Sequence, residues 1–217
     1  FNATNSFECR CCPSSGLNTM SAVSSMEIAQ MHHSVLVVPG IGNSGPSHWQ
    51  SLWQSSHPDW RRLIVGNWDK VECDDWVSAL ERQLVNAPAN TLLVAHSLGC
   101  LAVAHWAEQS GKKIGGALLV AVPDPAAPSF PRGSAHGFSP LPLVPLRFPS
   151  VVVCSADDPY GSVEHGRECA NAWGSEFVEV GAKGHLNAES NLGAWPEGLN
   201  LLARLSTSID CGRGTLK

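Results

Sequence analysis

A serine lies between an apolar run and a stretch of small residues near the middle of the 217-residue chain. Residues 92–100 are LLVAHSLGC, so Ser97 would stand where a strand turns into a helix. On such a turn the serine hydroxyl is exposed and its neighbours must be small: Gly99 meets this demand, and Ala95 is one methyl larger than the glycine that is more frequent there. The N–H of Leu98 and the helix dipole would face an oxyanion formed on a substrate. The pattern predicts a nucleophilic serine, with a plain helix N-cap as the alternative.

A histidine that follows the serine in the chain can serve as its base, provided that an acid precedes the histidine. Of the nine histidines, His165 and His185 follow the plausible acids. His165 falls inside a helical pattern, whereas His185 ends the segment GAKGH, directly after an apolar run. A glycine-bracketed loop at a strand end can bring an imidazole over the sheet edge, so we expect His185 to be the base. His48 precedes the serine, and we interpret it as structural or pocket-lining.

Three aspartates are candidates for the acid that orients this imidazole and stabilises its charged form. Asp157 and Asp158 lie in the segment SADDP, which follows an apolar run, and Asp124 lies in VPDP one strand earlier. We favour Asp158, then Asp157, then Asp124. The member of the pair that does not contact the histidine is expected to stabilise the turn.

A glycine-rich segment, VVPGIGNSG, ends the first apolar run. It lacks the G-x-G-x-x-G pattern, and no Gly-Lys-Ser/Thr follows, so a phosphate-binding loop is not indicated. Beside a serine on a strand-to-helix turn, this loop would supply the second oxyanion N–H. We assign that N–H to Ile41, with Gly42 as the alternative.

The elements that must position these residues follow a regular alternation. Short apolar runs without polar alternation are typical of strands buried on both faces, and helical patterns lie between them. This order predicts an α/β fold in one domain, with a mostly parallel central sheet flanked by helices. The apolar runs are residues 35–38, 63–65, 92–95, 117–122, 151–154 and 177–180, and the helical patterns lie near 76–84, 98–108, 163–173 and 192–205.

The two ends of the chain and one internal stretch lack this alternation. We expect residues 1–31 to be a disordered extension, 32–206 the folded domain and 207–217 a disordered tail. Residues 123–149 hold eight of the fifteen prolines, which predicts a long loop that forms a lid or a pocket wall. Its Phe130 and Phe138, together with Trp49, are expected to line a modest apolar substrate pocket.

Composition excludes several functional classes. Fourteen basic and nineteen acidic residues give a net charge of −5 without a basic cluster, which argues against nucleic-acid binding. No apolar run approaches the ~18 residues of a membrane span. The eight cysteines lack the spacing of metal ligands, so we expect reduced thiols, no metal or other cofactor, and a cytoplasmic protein.

Four blocks of sequence together resemble a known family. They are VPGIGNSGPSHWQ at 38–50, AHSLGC at 95–100, DDPY at 157–160 and GHLNAESNLGAWPEG at 184–198. The chain resembles, from about residue 33 to 205, the small α/β-hydrolases that comprise YdeN-like proteins and retinoblastoma-binding serine hydrolases. The resemblance implies a compact fold without a large cap domain, and it places the nucleophile on Ser97, the acid on Asp158 and the histidine on His185.

The residues and the resemblance together predict a metal-free serine hydrolase that acts by acyl transfer on a small ester. Amides, thioesters and lactones are hydrolysed by the same set of side chains, and the fold does not choose among them. The alternative is a catalytically silent protein-binding module on the same scaffold, because one relative is named for protein binding.

Overall fold

Parallel strands form the centre of the computed structural model, which describes residues 33–214. The six-stranded sheet has the order β2-β1-β4-β5-β7-β8, and every neighbouring pair is parallel. Two further short strands, β3 and β6, pair with each other. The strands are β1 (Val35–Val38), β2 (Arg61–Arg62), β3 (Val71–Glu72), β4 (Leu92–His96), β5 (Gly116–Val120), β6 (Ala135–His136), β7 (Ser150–Cys154) and β8 (Glu176–Glu179).

Helices cover both faces of the sheet, and each face has its own hydrophobic core. Alternate residues of β1 show the division, because Leu36 and Val38 belong to one core and Val35 and Val37 to the other. The first core contains α2, α3 and α4, and the second contains α1 and α5. The helices are α1 (Trp49–Ser56), α2 (Cys73–Leu84), α3 (Leu98–Gln109), α4 (Val163–Trp173) and α5 (Pro196–Gly214). None of those that the structure describes is long and apolar enough to cross a membrane.

The predicted α/β class with its mostly parallel sheet is confirmed, whereas the short strands β3 and β6 were not predicted and two further elements differ from the prediction. The run at 63–65 is not a strand. Arg61 and Arg62 pair with β1, the N–H of Leu63 donates one further hydrogen bond to the carbonyl of Val37, and the chain then leaves the sheet edge with Ile64 exposed. Helix α1 was not predicted. Its sequence WQSLWQSS offers only Trp49 and Trp53 as deeply buried apolar anchors, which is too few for a clear periodicity.

The C-terminal boundary of the domain also differs from the prediction. Helix α5 continues to Gly214 instead of ending near residue 206. Ser206 and Ile209 are buried in it, and Ile209 packs in the same core as Leu205. These buried positions are separated by polar and small residues, which hides the helical repeat in the sequence. The predicted disordered extension, residues 1–31, lies outside the described residues.

The proline-rich stretch at 123–149 contains β6 and otherwise only turns and irregular structure. It begins beyond the carboxyl end of β5, which is the edge of a parallel sheet where ligands bind. The stretch crosses back to β3 through the pairing of Val71 with Ala135 and of Glu72 with His136. It therefore covers part of the sheet edge at which Ser97 lies.

Candidate active site

Ser97 occupies the turn between β4 and α3 in a backbone conformation that side chains rarely adopt, with φ 53° and ψ −127°. Two glycines permit this turn to sit against β1. A Cβ on Gly99 would lie 2.5 Å from the carbonyl oxygen of Val38, and a Cβ on Gly40 would lie 2.8 Å from the Cβ of Ser97. Such a strained, closely packed turn is a feature of functional serines at strand-to-helix junctions.

Ser97, His185 and Asp158 form one continuous hydrogen-bonded chain. The Oγ of Ser97 lies 2.8 Å from Nε2 of His185, and Nδ1 of His185 lies 2.9 Å from each carboxylate oxygen of Asp158. The Asp158 side chain is only 2% exposed. An ionised carboxylate only accepts hydrogen bonds, so Nδ1 carries the imidazole proton and Nε2 is left to accept the hydroxyl proton. This arrangement can draw a proton from Ser97 as its oxygen attacks.

The other candidate acids and the other candidate histidine have different contacts. Asp157 accepts hydrogen bonds from the Ser155 hydroxyl and from the N–H of Gly184, and these bonds, the hydroxyl's first, lower its pKa. The hydrogen bond from Gly184 to Asp157 thereby stabilises the loop that carries the His185 imidazole. Asp124 accepts from the N–H of Ala126 within a turn. His165 lies in the first turn of α4, as predicted, and its Nε2 lies 3.2 Å from the carbonyl oxygen of Pro123.

The N–H groups of Ile41 and Leu98 are candidates to donate to an oxyanion formed beside Ser97. Both residues line the cavity beside Ser97, and within residues 33–214 neither N–H donates a hydrogen bond. The alternative donor, the N–H of Gly42, donates to the carbonyl of Trp68 at 2.8 Å and is therefore occupied. Of the two alternatives in the first loop, this contact favours Ile41.

A cavity of about 350 Å³ opens at Ser97. Its size is at the lower end of the range for small-molecule sites. Hydrophobic and proline side chains form much of the wall, and among the lining residues there is no Lys or Arg. The wall includes Ile41, Leu98, Pro123, Phe130, Pro131 and Tyr160, with Asn43, Asn187 and Glu189 as polar members.

Comparison with known proteins places the chain in a family. The profile of a family described as serine hydrolase matches residues 35–204. The chain belongs to this family. A solved YdeN-like hydrolase from Pectobacterium atrosepticum is 34% identical, with a TM-score of 0.74 over 85% of this chain and 95% of that one. No protein of curated function matches by sequence.

Two more distant structures agree in fold with this serine hydrolase. The ydeN gene product of B. subtilis is 22% identical, with a TM-score of 0.63 over 81% of this chain and 99% of that one. BpoC of Mycobacterium tuberculosis is 16% identical, with a TM-score of 0.58 over 82% of this chain and 92% of that one. The predicted YdeN-like relationship and the α/β-hydrolase fold are confirmed, and the protein is a hydrolase.

Two of the three residues predicted to line the pocket of this serine hydrolase lie elsewhere. Trp49 is buried against Trp53 and Trp195, and its Nε1 donates to the carbonyl of Leu186. Phe138 is buried in the opposite core. Both predictions were wrong because an aromatic residue near a loop can turn either into the core or into the cavity, and local sequence does not distinguish the two. Phe130 does line the cavity.

Sequence reasoning missed several residues of the site, among them His96 and Tyr160. The Tyr160 ring lies 4.6 Å from the ring of His185, and both Tyr160 and His96 line the cavity. The sequence offered one signal for each: His96 directly precedes Ser97, and Tyr160 directly follows the segment DDP. His48 has both expected roles, because it lines the cavity and its Nδ1 accepts from the N–H of Gln50 at the start of α1. Burial, then Arg62 and His185, lowers its pKa to about 4.

The four buried cysteines among residues 33–214 do not line the cavity beside Ser97. Burial raises the pKa of Cys73, Cys154 and Cys169 to about 12 and that of Cys100 well above its usual value, which keeps the thiols protonated and unreactive. Among the described residues, no group of three or more His, Cys, Asp or Glu side chains could hold a metal ion.

Proposed function

We propose that the protein hydrolyses small carboxylic esters through an acyl-enzyme formed on Ser97. The observation that carries the proposal is the Asp158–His185–Ser97 chain of contacts at 2.8–2.9 Å, set on a strained turn beside the cavity. These are the side chains and the distances that acyl transfer by an activated serine requires.

In the proposed reaction, the Oγ of Ser97 attacks the ester carbonyl while Nε2 of His185 takes its proton. Asp158 keeps Nδ1 protonated and stabilises the resulting imidazolium. The negative charge that develops on the carbonyl oxygen accepts hydrogen bonds from the N–H groups of Leu98 and Ile41. The leaving alcohol then takes the proton from Nε2 as the ester C–O bond breaks. Water, deprotonated by the same imidazole, attacks the acyl-enzyme, and Nε2 returns that proton to Oγ of Ser97 as the acid is released.

The size and lining of the cavity at Ser97 favour a small and uncharged substrate. Its volume of about 350 Å³ accommodates a short acyl group and an alcohol, but not a long fatty acyl chain. Its lining contains no Lys or Arg to pair with a substrate carboxylate, and Glu189 would repel one. We therefore expect p-nitrophenyl acetate and butyrate to be hydrolysed faster than the palmitate ester or the monoester of succinic acid.

Labelling with a fluorophosphonate probe tests the proposal directly. The wild-type protein should be labelled, whereas Ser97→Ala and His185→Ala should not, and hydrolysis of p-nitrophenyl butyrate should disappear in parallel. Ser208→Ala is the matched control because this serine is exposed on α5, away from the cavity lining, and it should be labelled like wild type. A folded wild type that neither labels nor hydrolyses any ester would overturn the proposal and favour the silent protein-binding alternative.

A further inference from the structure

His96 is a buried histidine that the reaction as written does not use. It is the last residue of β4, directly before Ser97, and it is 4% exposed. Its Nε2 lies 2.9 Å from the main-chain carbonyl oxygen of His185. A carbonyl oxygen only accepts, so Nε2 must carry the proton and donate it. Burial, and then the neighbouring His185, lowers the pKa of His96 well below its usual value, which keeps the ring neutral.

This hydrogen bond joins the two segments that carry the reacting groups. His96 shares its strand end with Ser97, and the acceptor is the main chain of the residue whose imidazole meets the serine hydroxyl. The two bonded residues are 89 positions apart in the chain. The His96 ring is itself held in place, with the ring of His48 at 4.8 Å and the ring of His185 at 5.0 Å.

The loop that bears His185 depends on side chains from other elements for its shape. It contains Gly181, Gly184 and Leu186 at positive φ, so its own backbone does not continue a strand or a helix. From the loop after β7, Ser155 accepts from the N–H of Lys183 and Asp157 accepts from that of Gly184. Trp49 of α1 donates to the carbonyl of Leu186.

The hydrogen bond from His96 links this loop to β4, the strand that leads directly into Ser97. The contacts from the loop after β7 set the loop relative to the acid, and the contact from His96 sets it relative to the serine. Errors of about 1 Å between reacting groups can cost on the order of a hundredfold in rate. The hydrogen bond from His96 holds the main chain of His185 and thereby constrains the distance between Nε2 of His185 and Oγ of Ser97.

We infer that His96 is a positioning residue whose Nε2–H, by holding the main chain of His185, keeps the imidazole within reach of Ser97 during both proton transfers. The inference rests on the proposed function and adds a further residue to it. This positioning role requires a neutral hydrogen-bond donor of the right length at position 96, whereas a packing role would require only a side chain of similar bulk.

Three substitutions at position 96 distinguish the effect of the hydrogen-bond donor and its reach from the effect of side-chain packing. His96→Gln places an amide N–H near the position of Nε2, His96→Asn has an amide that is too short to reach, and His96→Met has similar bulk and no donor. For p-nitrophenyl acetate, kcat should fall about 10- to 100-fold in His96→Asn and His96→Met, with KM within about threefold of wild type, and His96→Gln should recover most of the loss. Labelling by the fluorophosphonate should slow by the same factors.

Hydrogen exchange of the peptide covering residues 181–186 gives a readout that does not depend on activity. Its amides should exchange faster in His96→Asn and His96→Met than in wild type and His96→Gln, while the peptides of β5 and β7 stay protected. Equal exchange and equal kcat in all four proteins would overturn the inference, as would His96→Gln behaving like His96→Met. If wild type is inactive and unlabelled, the proposed function fails, and the exchange rates still decide whether His96 holds the loop.

Discussion

Two adjacent carboxylates, Asp157 and Asp158, have separate tasks although they share one turn. The carboxylate of Asp158 is buried against the imidazole of His185, whereas that of Asp157 is exposed and accepts from the Ser155 hydroxyl of its own loop and from the N–H of Gly184 in the loop that carries His185. In the proposed mechanism, Asp158 therefore stabilises the proton of the imidazole, whereas Asp157 stabilises the loop that carries the imidazole.

This division predicts different effects for two matched substitutions. Asp158→Asn should lower kcat/KM for p-nitrophenyl acetate on the order of a thousandfold or more, because an amide favours the wrong tautomer of His185 and no longer stabilises the imidazolium. Asp157→Asn should stay within about tenfold of wild type, because an amide oxygen still accepts the two hydrogen bonds. Steady-state kinetics of both variants checks this, and equal losses would show that the acid is wrongly assigned.

His48 links the pH of the solution to the stability of the fold. Burial lowers its pKa in the folded protein to about 4, below the value of 6.5 expected when it is exposed. Between these values the unfolded chain binds a proton that the folded protein does not, so the free energy of unfolding decreases as the pH falls from about 6.5 to about 4. The lowered pKa of His96 acts in the same direction.

His48→Asn should reduce this dependence on pH. Asparagine is a good N-cap and retains an acceptor for the start of α1, but it does not titrate. Relative to its own value near pH 7.5, the variant should lose roughly 1–3 kcal/mol less of its free energy of unfolding at about pH 4.5 than wild type loses. Urea unfolding at the two pH values measures the difference. Identical losses would mean that the His48 ring is readily protonated in the folded state.

At the scale of elements, the contact between α3 and β1 determines how close the turn at Ser97 can approach the loop that follows β1. Gly99 lies against the main chain of β1, where a Cβ would be 2.5 Å from the carbonyl oxygen of Val38 and 2.6 Å from that of Pro39. Backbone atoms cannot move aside as the end of a flexible side chain can. A side chain at this position would therefore separate the helix from the strand.

Gly99→Ala should lower the free energy of unfolding by at least about 2 kcal/mol, because the added methyl group overpacks a contact made by main chain. Gly111 follows the same helix, and a Cβ there would have no atom within 4 Å, so Gly111→Ala is the control and should change stability by less than about 0.5 kcal/mol. Denaturant unfolding of the two variants compares them. A Gly99→Ala protein as stable as wild type would contradict the close contact.

At the scale of the whole molecule, the C-terminal turns of α5 complete the domain. Ile209 is buried in the core on the face shared with α1, and a Cβ added to Gly116 of β5 would lie 3.0 Å from its Cδ1. Asp210, one residue further, lies 3.1 Å from Nε2 of His33, just before β1. The end of the helix thus packs on the central sheet and reaches its first strand.

Ile209→Ala should lower the free energy of unfolding by about 2–4 kcal/mol, the usual cost of truncating a buried aliphatic side chain. Cys211→Ala, two residues further along the helix and exposed, should have almost no effect. Thermal and urea unfolding of both proteins tests the pair. If neither variant differs from wild type, the helix end contributes little to the fold.

The sequence by itself determined the local features of this protein. The run of apolar residues before Ser97, the small residues after it and the order serine, aspartate, histidine are encoded in neighbouring residues, so the strand, the turn and the helix could be predicted together. The alternation of apolar runs with helical patterns likewise indicated the parallel sheet, because each element's periodicity is set within its own segment.

The tertiary structure decided which side chains meet. The sequence favoured Asp158 over Asp157 but did not determine their contacts, and packing directs Asp158 to an imidazole 27 residues away and Asp157 to the loop that carries it. Packing also buries Trp49 and Phe138 in the core, and it brings the carbonyl of Trp68 to the N–H of Gly42, which donates to it. Contacts between distant segments depend on the free energy of the assembled core, which no single segment encodes, and for that reason they appear only in the folded molecule.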